Sequence, residues 1–271
     1  MRTMLTKQMI ALVVAGALCA GHAAAETLRA GGTGSAAGML RQLGARFAAS
    51  EGAEIKVVPG LGSGGALNAL KDGAIDIAVS ARPLNDKETA AGLRQVAALR
   101  TAFVLATSHL YPNRLKRADL PTDFTSSSAR WADGASIRII LRPRSETDNA
   151  LLATMSAGMS EAIEQARGRP EVPVTPTDQD NVAMAENVPG SLTGTTMAQL
   201  KTEQPNLRLV PLDTSEPTLA NVQSGAYPYV KHFYVVLRAD GPPAAQRFAD
   251  FLRSPQGIAA LRDCEVLPES E

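Results

Sequence analysis

The chain reads as an α/β protein, and three observations carry that reading. Strand-like apolar runs alternate with helical spacing through residues 27–79. The first two runs end in turns rich in glycine and hydroxyl residues, Thr33-Gly34-Ser35 and Gly62-Ser63-Gly64-Gly65. The third run, Asp76-Ile77-Ala78-Val79-Ser80, continues into Ala81-Arg82-Pro83-Leu84. Such alternation favours parallel pairing, and the ligands of such sheets collect beyond the carboxyl ends of the strands, where these turns lie.

The elements follow in order. Residues 27–30 read as a short first strand, after which Met39, Leu40, Leu43 and Phe47 recur at helical spacing. Residues 54–58 alternate as a strand, 66–70 begin a helix that stops at Gly73, and 75–79 form a third strand. Residues 98–106 are apolar and extended in character, whereas 111–134 are polar and irregular and contain the single tryptophan, Trp131. A buried strand at 137–141 runs into Arg142-Pro143-Arg144-Ser145-Glu146-Thr147-Asp148, and a helix starts near Asn149. Thr177 and Asp180 have the spacing of an N-cap and its N3 partner, opening a helix toward Asn187. Residues 189–194 read as a tight loop or short strand, 207–212 as a strand, and 219–225 as a brief helix stopped by glycine. A strand at 234–237 precedes one or two terminal helices over 242–261, broken near Ser254-Pro255.

Residues 1–25 read as a secretory leader. Arg2 and Lys7 form its basic start, residues 9–19 its apolar stretch, and Ala23-Ala24-Ala25 a small-residue cleavage site. The expectation is a cleaved signal and a periplasmic protein without a further membrane-spanning run. Of two cysteines, Cys19 falls in the leader, so Cys264 has no intrachain partner and reads as a packed small residue. Acidic and basic residues balance at 27 each, aromatics make up 4%, and there is no basic tract, which argues against nucleic-acid binding. A length of 271 residues suits one large domain or two lobes.

Glycines and hydroxyls at helix starts leave backbone N–H groups available to an oxyanion, and repetition strengthens the signal. Thr33, Gly34, Ser35, Ser63, Gly64 and Ser80 are therefore the first candidates for a small-anion site. Two other chemistries are weaker. Ser35 or Ser63 as a hydrolase nucleophile lacks the matched Gly-x-Ser-x-Gly context and a histidine or aspartate tied to it. The oxygen-rich Thr177 to Asn181 stretch lacks the glycine and terminal glutamate of a calcium loop, so a helix cap is the preferred reading. His109 and His232 have no partner at metal-ligand spacing, and Arg82 reads either as a second cation in the cleft or, the preferred reading, as the partner of a surface acid. No cofactor or metal is expected.

In order along the chain, Thr33-Gly34-Ser35, Gly60-Leu61-Gly62-Ser63-Gly64-Gly65, the run from Asp76 to Leu84, Arg142 to Thr147, Pro189-Gly190-Ser191, Gly225-Ala226-Tyr227-Pro228 and Phe248 to Gly257 resemble the phosphate-binding-protein family of periplasmic ABC-transporter receptors. The resemblance implies a two-lobed periplasmic-binding-protein-like fold, each lobe a mostly parallel sheet flanked by helices, joined by two hinge crossings. It places 26–107 plus 228–271 in the first lobe and 108–227 in the second, with crossings near 107–134 and 225–228. It implies capture of a small anion, most simply phosphate, delivered to a membrane permease by a monomeric receptor. The alternative is a two-lobed sensor or interaction module with altered or lost anion specificity.

Carried over residue by residue, the resemblance gives ligand donors at Thr33, Ser35, Ser63, Ser145 and Thr147, and an anion-pairing arginine at Arg142 or Arg144. Two departures bear on specificity. Ala81 stands where phosphate receptors place an aspartate that accepts a ligand proton, and Glu146 replaces the glycine of a Ser-Gly-Thr motif. A Glu146 carboxylate turned into the cleft would repel an anion; one turned to solvent would not.

Overall fold

The computed structural model describes residues 26–269, so the leader reading lies outside the described residues. β1 (Thr27–Gly32) buries Leu28 and Ala30, then passes through a 3-10 turn at Gly34–Ala36 into α1 (Ala37–Glu51). Met39, Leu40, Leu43 and Phe47 form the buried stripe of α1, and Gly52 ends it at φ 71°. β2 (Glu54–Val58) leads to α2 (Gly62–Lys71), which buries Ala66, Leu67 and Leu70. β3 (Ile77–Ser80) is buried throughout, as befits a strand covered on both faces. α3 (Asp86–Ala90) follows, with a reciprocal cap between Asn85 and Glu88.

β4 (Leu93–Thr107) spans 15 residues, the longest strand among the described residues. After it come α4 (Leu120–Thr125), β5 (Arg138–Ile139), α5 (Thr147–Ala153), α6 (Met159–Arg167), α7 (Asp178–Asn187), β6 (Ser191–Thr196), α8 (Met197–Glu203), β7 (Arg208–Leu209) and α9 (Leu219–Ser224). β8 (Val230–Arg238), α10 (Pro243–Arg253), α11 (Pro255–Asp263) and β9 (Leu267–Pro268) complete the described chain.

The strand order is β2-β1-β3-β8-β4-β6-β5, with β7 and β9 also on β4. β2, β1 and β3 pair in parallel, as do β5 and β6, whereas β8 and β4 pair antiparallel with each other and with their neighbours. The outer strands are therefore parallel, as expected, and the two long central strands are not. β4 leaves one core for the other and β8 comes back beside it, so the two must run in opposite directions.

One core gathers Leu40, Phe47, Leu99, Phe233 and Phe248, with Leu67, Leu70 and Val236 on the opposite face of the same sheet. The other gathers Phe103, Phe124, Trp131, Ile163 and Leu192. Along β4 the chain passes between them from Leu99 to Ala102, and it returns from Tyr229, just before β8, to Phe233 within it.

Several elements depart from the sequence reading. The irregular stretch 111–134 contains α4, a helix of 6 residues too short to show a period, with proline in its first turn. α6 and α8 have no counterpart in that reading: α6 sits among glycines and serines, and α8 is a 7-residue helix directly abutting β6. The strand expected at 207–212 contracts to Arg208–Leu209, while β8 starts at Val230, earlier than its apolar run. The terminal helices break at Ser254, whose hydroxyl caps α11 by accepting the Gly257 N–H at 3.0 Å.

Candidate functional site

The turn after β1 is buried and tied to β3. The Thr33 N–H donates to the Val79 carbonyl at 2.9 Å, and the Thr33 and Ser35 hydroxyls lie 3.2 Å apart. Ser63, half-buried in the first turn of α2, accepts the Ala81 N–H at 2.9 Å through its hydroxyl oxygen. That bond leaves the Ser63 proton free to be donated elsewhere. Gly64 is exposed beside it. Ser80 is fully buried and turned upon its own loop, accepting the Arg82 N–H at 3.1 Å and donating to the Arg82 carbonyl at 2.6 Å. Arg82 forms a fork with Glu88 at 2.7 and 2.9 Å, the surface pairing expected of it.

From the other core comes Arg142, with a side chain only 5% exposed. Its Nη1 donates to the Thr175 carbonyl at 2.6 Å, and its Nη2 lies 3.4 Å from Glu146 Oε2 and 3.7 Å from Asp178 Oδ2. Its Nε is buried without a hydrogen-bond partner among the described residues. Arg144 has a different fate: it is 71% exposed and pairs with Glu164 at 2.5 Å. Of the two arginines the fold buries the first, because Arg142 directly follows Leu141, which is buried and bridged to Val174, before the chain turns at Pro143. Ser145 is exposed, and Thr147 is the half-buried first residue of α5. Glu146 turns toward Arg142, not wholly to solvent.

Three charged groups in this region carry no motif in the sequence. Lys231 on β8 is fully buried and ion-pairs with Asp148 of α5, and its Nζ lies 3.7 Å from Asp178 Oδ1. Asp178, the first residue of α7, is also buried. α7 is closed by a capping box in which the Thr177 hydroxyl accepts the Asp180 N–H at 3.0 Å. The capping spacing is legible in the chain. The role of the acid beside it is not, since an aspartate in a helix's first turn is ordinarily explained by the dipole. Lys231 has one signal, a cation inside an apolar strand.

The electrostatics follow from burial. Burial pushes the Asp148 carboxyl up, an effect Lys231 opposes and Asp178 reinforces. Burial also raises Glu146, against the pull of Arg142. Lys231 stays above the ordinary lysine value although burial works against its charge, because Asp148 and Asp178 flank it. Two cations thus face three carboxylates in one cluster.

The cluster abuts the first turn directly. A Cβ on Gly34 would lie 2.7 Å from Asp178 Oδ2 and 2.5 Å from Gln179 Oε1, and the Gln179 amide donates to the Gly34 carbonyl at 2.8 Å. Gly38 of α1 meets α8 in the same way, because a Cβ there would collide with the Thr202 hydroxyl. Only glycine admits such close approach.

Paired cores strung on two antiparallel strands, with polar turns from each meeting between them, define a two-lobed α/β binding-protein fold. The chain belongs to the family described as the PBP superfamily domain, whose family model matches residues 20–256. No curated protein sequence matches the chain. Among solved structures it is similar to one described as a phosphate ABC transporter substrate-binding protein from Clostridium perfringens, with bound phosphate. That likeness has a TM-score of 0.72 at 15% identity and covers 90% of this chain and 100% of the other. The periplasmic molybdate-binding protein of Azotobacter vinelandii gives 0.60 at 12% identity, over 90% of this chain and 100% of the other. A tungstate-binding protein from Desulfovibrio alaskensis gives 0.55 at 14% identity, over 91% and 100%. At these identities the likeness speaks for the fold.

Proposed function

We propose that the chain is an exported solute-binding protein that captures a small oxyanion between its two lobes. The observation that carries this reading is Arg142, a buried guanidinium whose Nε has no partner among the described residues, lying in the cluster that abuts the Thr33-Gly34-Ser35 turn. A planar fork held out of water beside helix-start amides suits an oxyanion. The donors are Arg142, the Thr33 and Ser35 turn with Gly34, and Ser63 beside Gly64, with Thr147 at the start of α5 and the exposed Ser145 two residues before it as further candidates. Arg144, paired at the surface, and Ser80, bonded within its own loop, are left with supporting roles.

Two lobes meet along β4 and β8 in this reading, and the core memberships support a first crossing between Leu99 and Ala102, ahead of the expected 107, and a return between Tyr229 and Phe233. The partner is a membrane permease, and the compartment is the periplasm, as the leader reading and the named neighbours suggest. Phosphate is the first ligand to test. Ala81 offers no carboxylate to a protonated ligand oxygen, so discrimination between phosphate and sulfate should be weak. A second reading, a sensor or interaction module with altered anion specificity, is favoured by the three carboxylates at Glu146, Asp148 and Asp178.

The test is a thermal-shift and calorimetric screen of the mature protein against phosphate, sulfate, molybdate, tungstate and small carboxylates. At least one oxyanion should raise the melting temperature with its saturation, and Arg142→Ala should remove that shift. If no anion binds, the oxyanion reading fails and the second reading takes its place.

A further inference from the structure

We propose that Asp178 is a tethered competitor for the oxyanion site, its carboxylate taking the position between Gly34, Arg142 and Lys231 that an oxygen of the free anion would take. The inference rests on the oxyanion reading and deepens it. Three observations support it. Asp178 is buried, and its two oxygens face different cations, Oδ2 toward Arg142 and Oδ1 toward Lys231, each at 3.7 Å. The same Oδ2 lies where a Cβ on Gly34 would crowd it, so the carboxylate reaches the turn of the opposite lobe. Both separations exceed hydrogen-bond length, so the cations hold Asp178 by charge and keep donor capacity, including the unpartnered Arg142 Nε.

The charge count decides the consequence. With all five groups ionised, Arg142 and Lys231 face Asp178, Asp148 and Glu146, an excess of one negative charge before any ligand arrives. A dianion must either displace the Asp178 carboxylate or bind against it. Neutralising Asp178 leaves two cations against two carboxylates and removes the nearest repulsion.

Calorimetric titration of the full mature chain with inorganic phosphate, molybdate and tungstate tests this, comparing wild type with Asp178→Asn and Asp178→Ala. The asparagine variant keeps the shape, so it carries the test if the alanine variant does not fold by circular dichroism. The expected result is an affinity at least roughly tenfold higher in Asp178→Asn for the anion that binds best, since one unit charge at this range is worth that much or more. Equal or weaker binding by a folded Asp178→Asn, with wild type binding normally, overturns the competitor role and leaves the oxyanion reading in place. Binding of no anion by either protein overturns both.

Discussion

Asp123 shows how a single side chain sets a pH dependence. Burial pushes its carboxyl from 3.8 up to about 6, with Asp119 adding to the effect. The folded state therefore holds this proton more tightly than the unfolded one, so the group's contribution to stability is full below 3.8 and lost as pH rises through about 6. Asp123→Asn should stabilise the protein at pH 7 by about 1 kcal/mol, a figure reduced for solvent screening of a half-exposed group, and by nothing near pH ~3.5. Melting curves at the two pH values check the difference. Ser63 is the matching case for binding. Its oxygen is already occupied by the Ala81 N–H, so its proton is the part left for a ligand. Ser63→Ala should weaken oxyanion binding by about 1–3 kcal/mol, read by calorimetry; unchanged affinity would take Ser63 out of the site. Cys264 is buried and its thiol is pushed up to about 11 by burial, in keeping with a packed small residue.

Among the helices and strands, α7 matters most, because its first turn presents Asp178 and Gln179 to Gly34. The capping box at Thr177 and Asp180 sets where that helix begins. Thr177→Ala should cost about 1 kcal/mol in urea denaturation. It should also loosen the Gln179 contact to Gly34, seen as faster amide exchange in the turn at Gly34–Ala36. Exchange unchanged by the substitution would mean the cap does not hold the contact. Elements whose signal lies in one cap or one glycine stop, such as α7, α9 and α11, are legible in the chain. α4, α6 and α8 are not, since short helices in polar or small-residue surroundings show too little of a 3.6-residue period.

Across the molecule, Lys231 links the strand that crosses between the cores to α5 of the second core. Removing it strands Asp148 in a buried site. Lys231→Met should destabilise the protein by about 3–5 kcal/mol at neutral pH. The loss should shrink as pH falls, because Asp148, already raised by burial, can then take up a proton. Guanidinium denaturation across pH tests both statements, and a pH-independent loss would refute the second. Gly34→Ala probes another contact between the halves. Its Cβ would meet Gln179 Oε1 at 2.5 Å and Asp178 Oδ2 at 2.7 Å, so the two cores should separate slightly. Small-angle scattering should report a larger radius of gyration than wild type.

Local signals along the chain suffice for the α/β class, for most of the succession of strands and helices, and for the glycine-hydroxyl turns. Each is written in periodicity, in caps or in turn chemistry, which act over a few residues. The motifs also carry the resemblance, which the family match bears out at the level of the PBP superfamily. Long-range packing alone selects Arg142 over Arg144 for burial, turns Ser80 into its own loop, and sets Asp178 against Gly34. Asp178 and Gly34 are far apart in the chain, as are Lys231 and Asp148, and no local pattern records which distant charges a fold will bring together. Burial then does the rest, because charges taken out of water must find one another, and the packing of the two cores chooses which ones do.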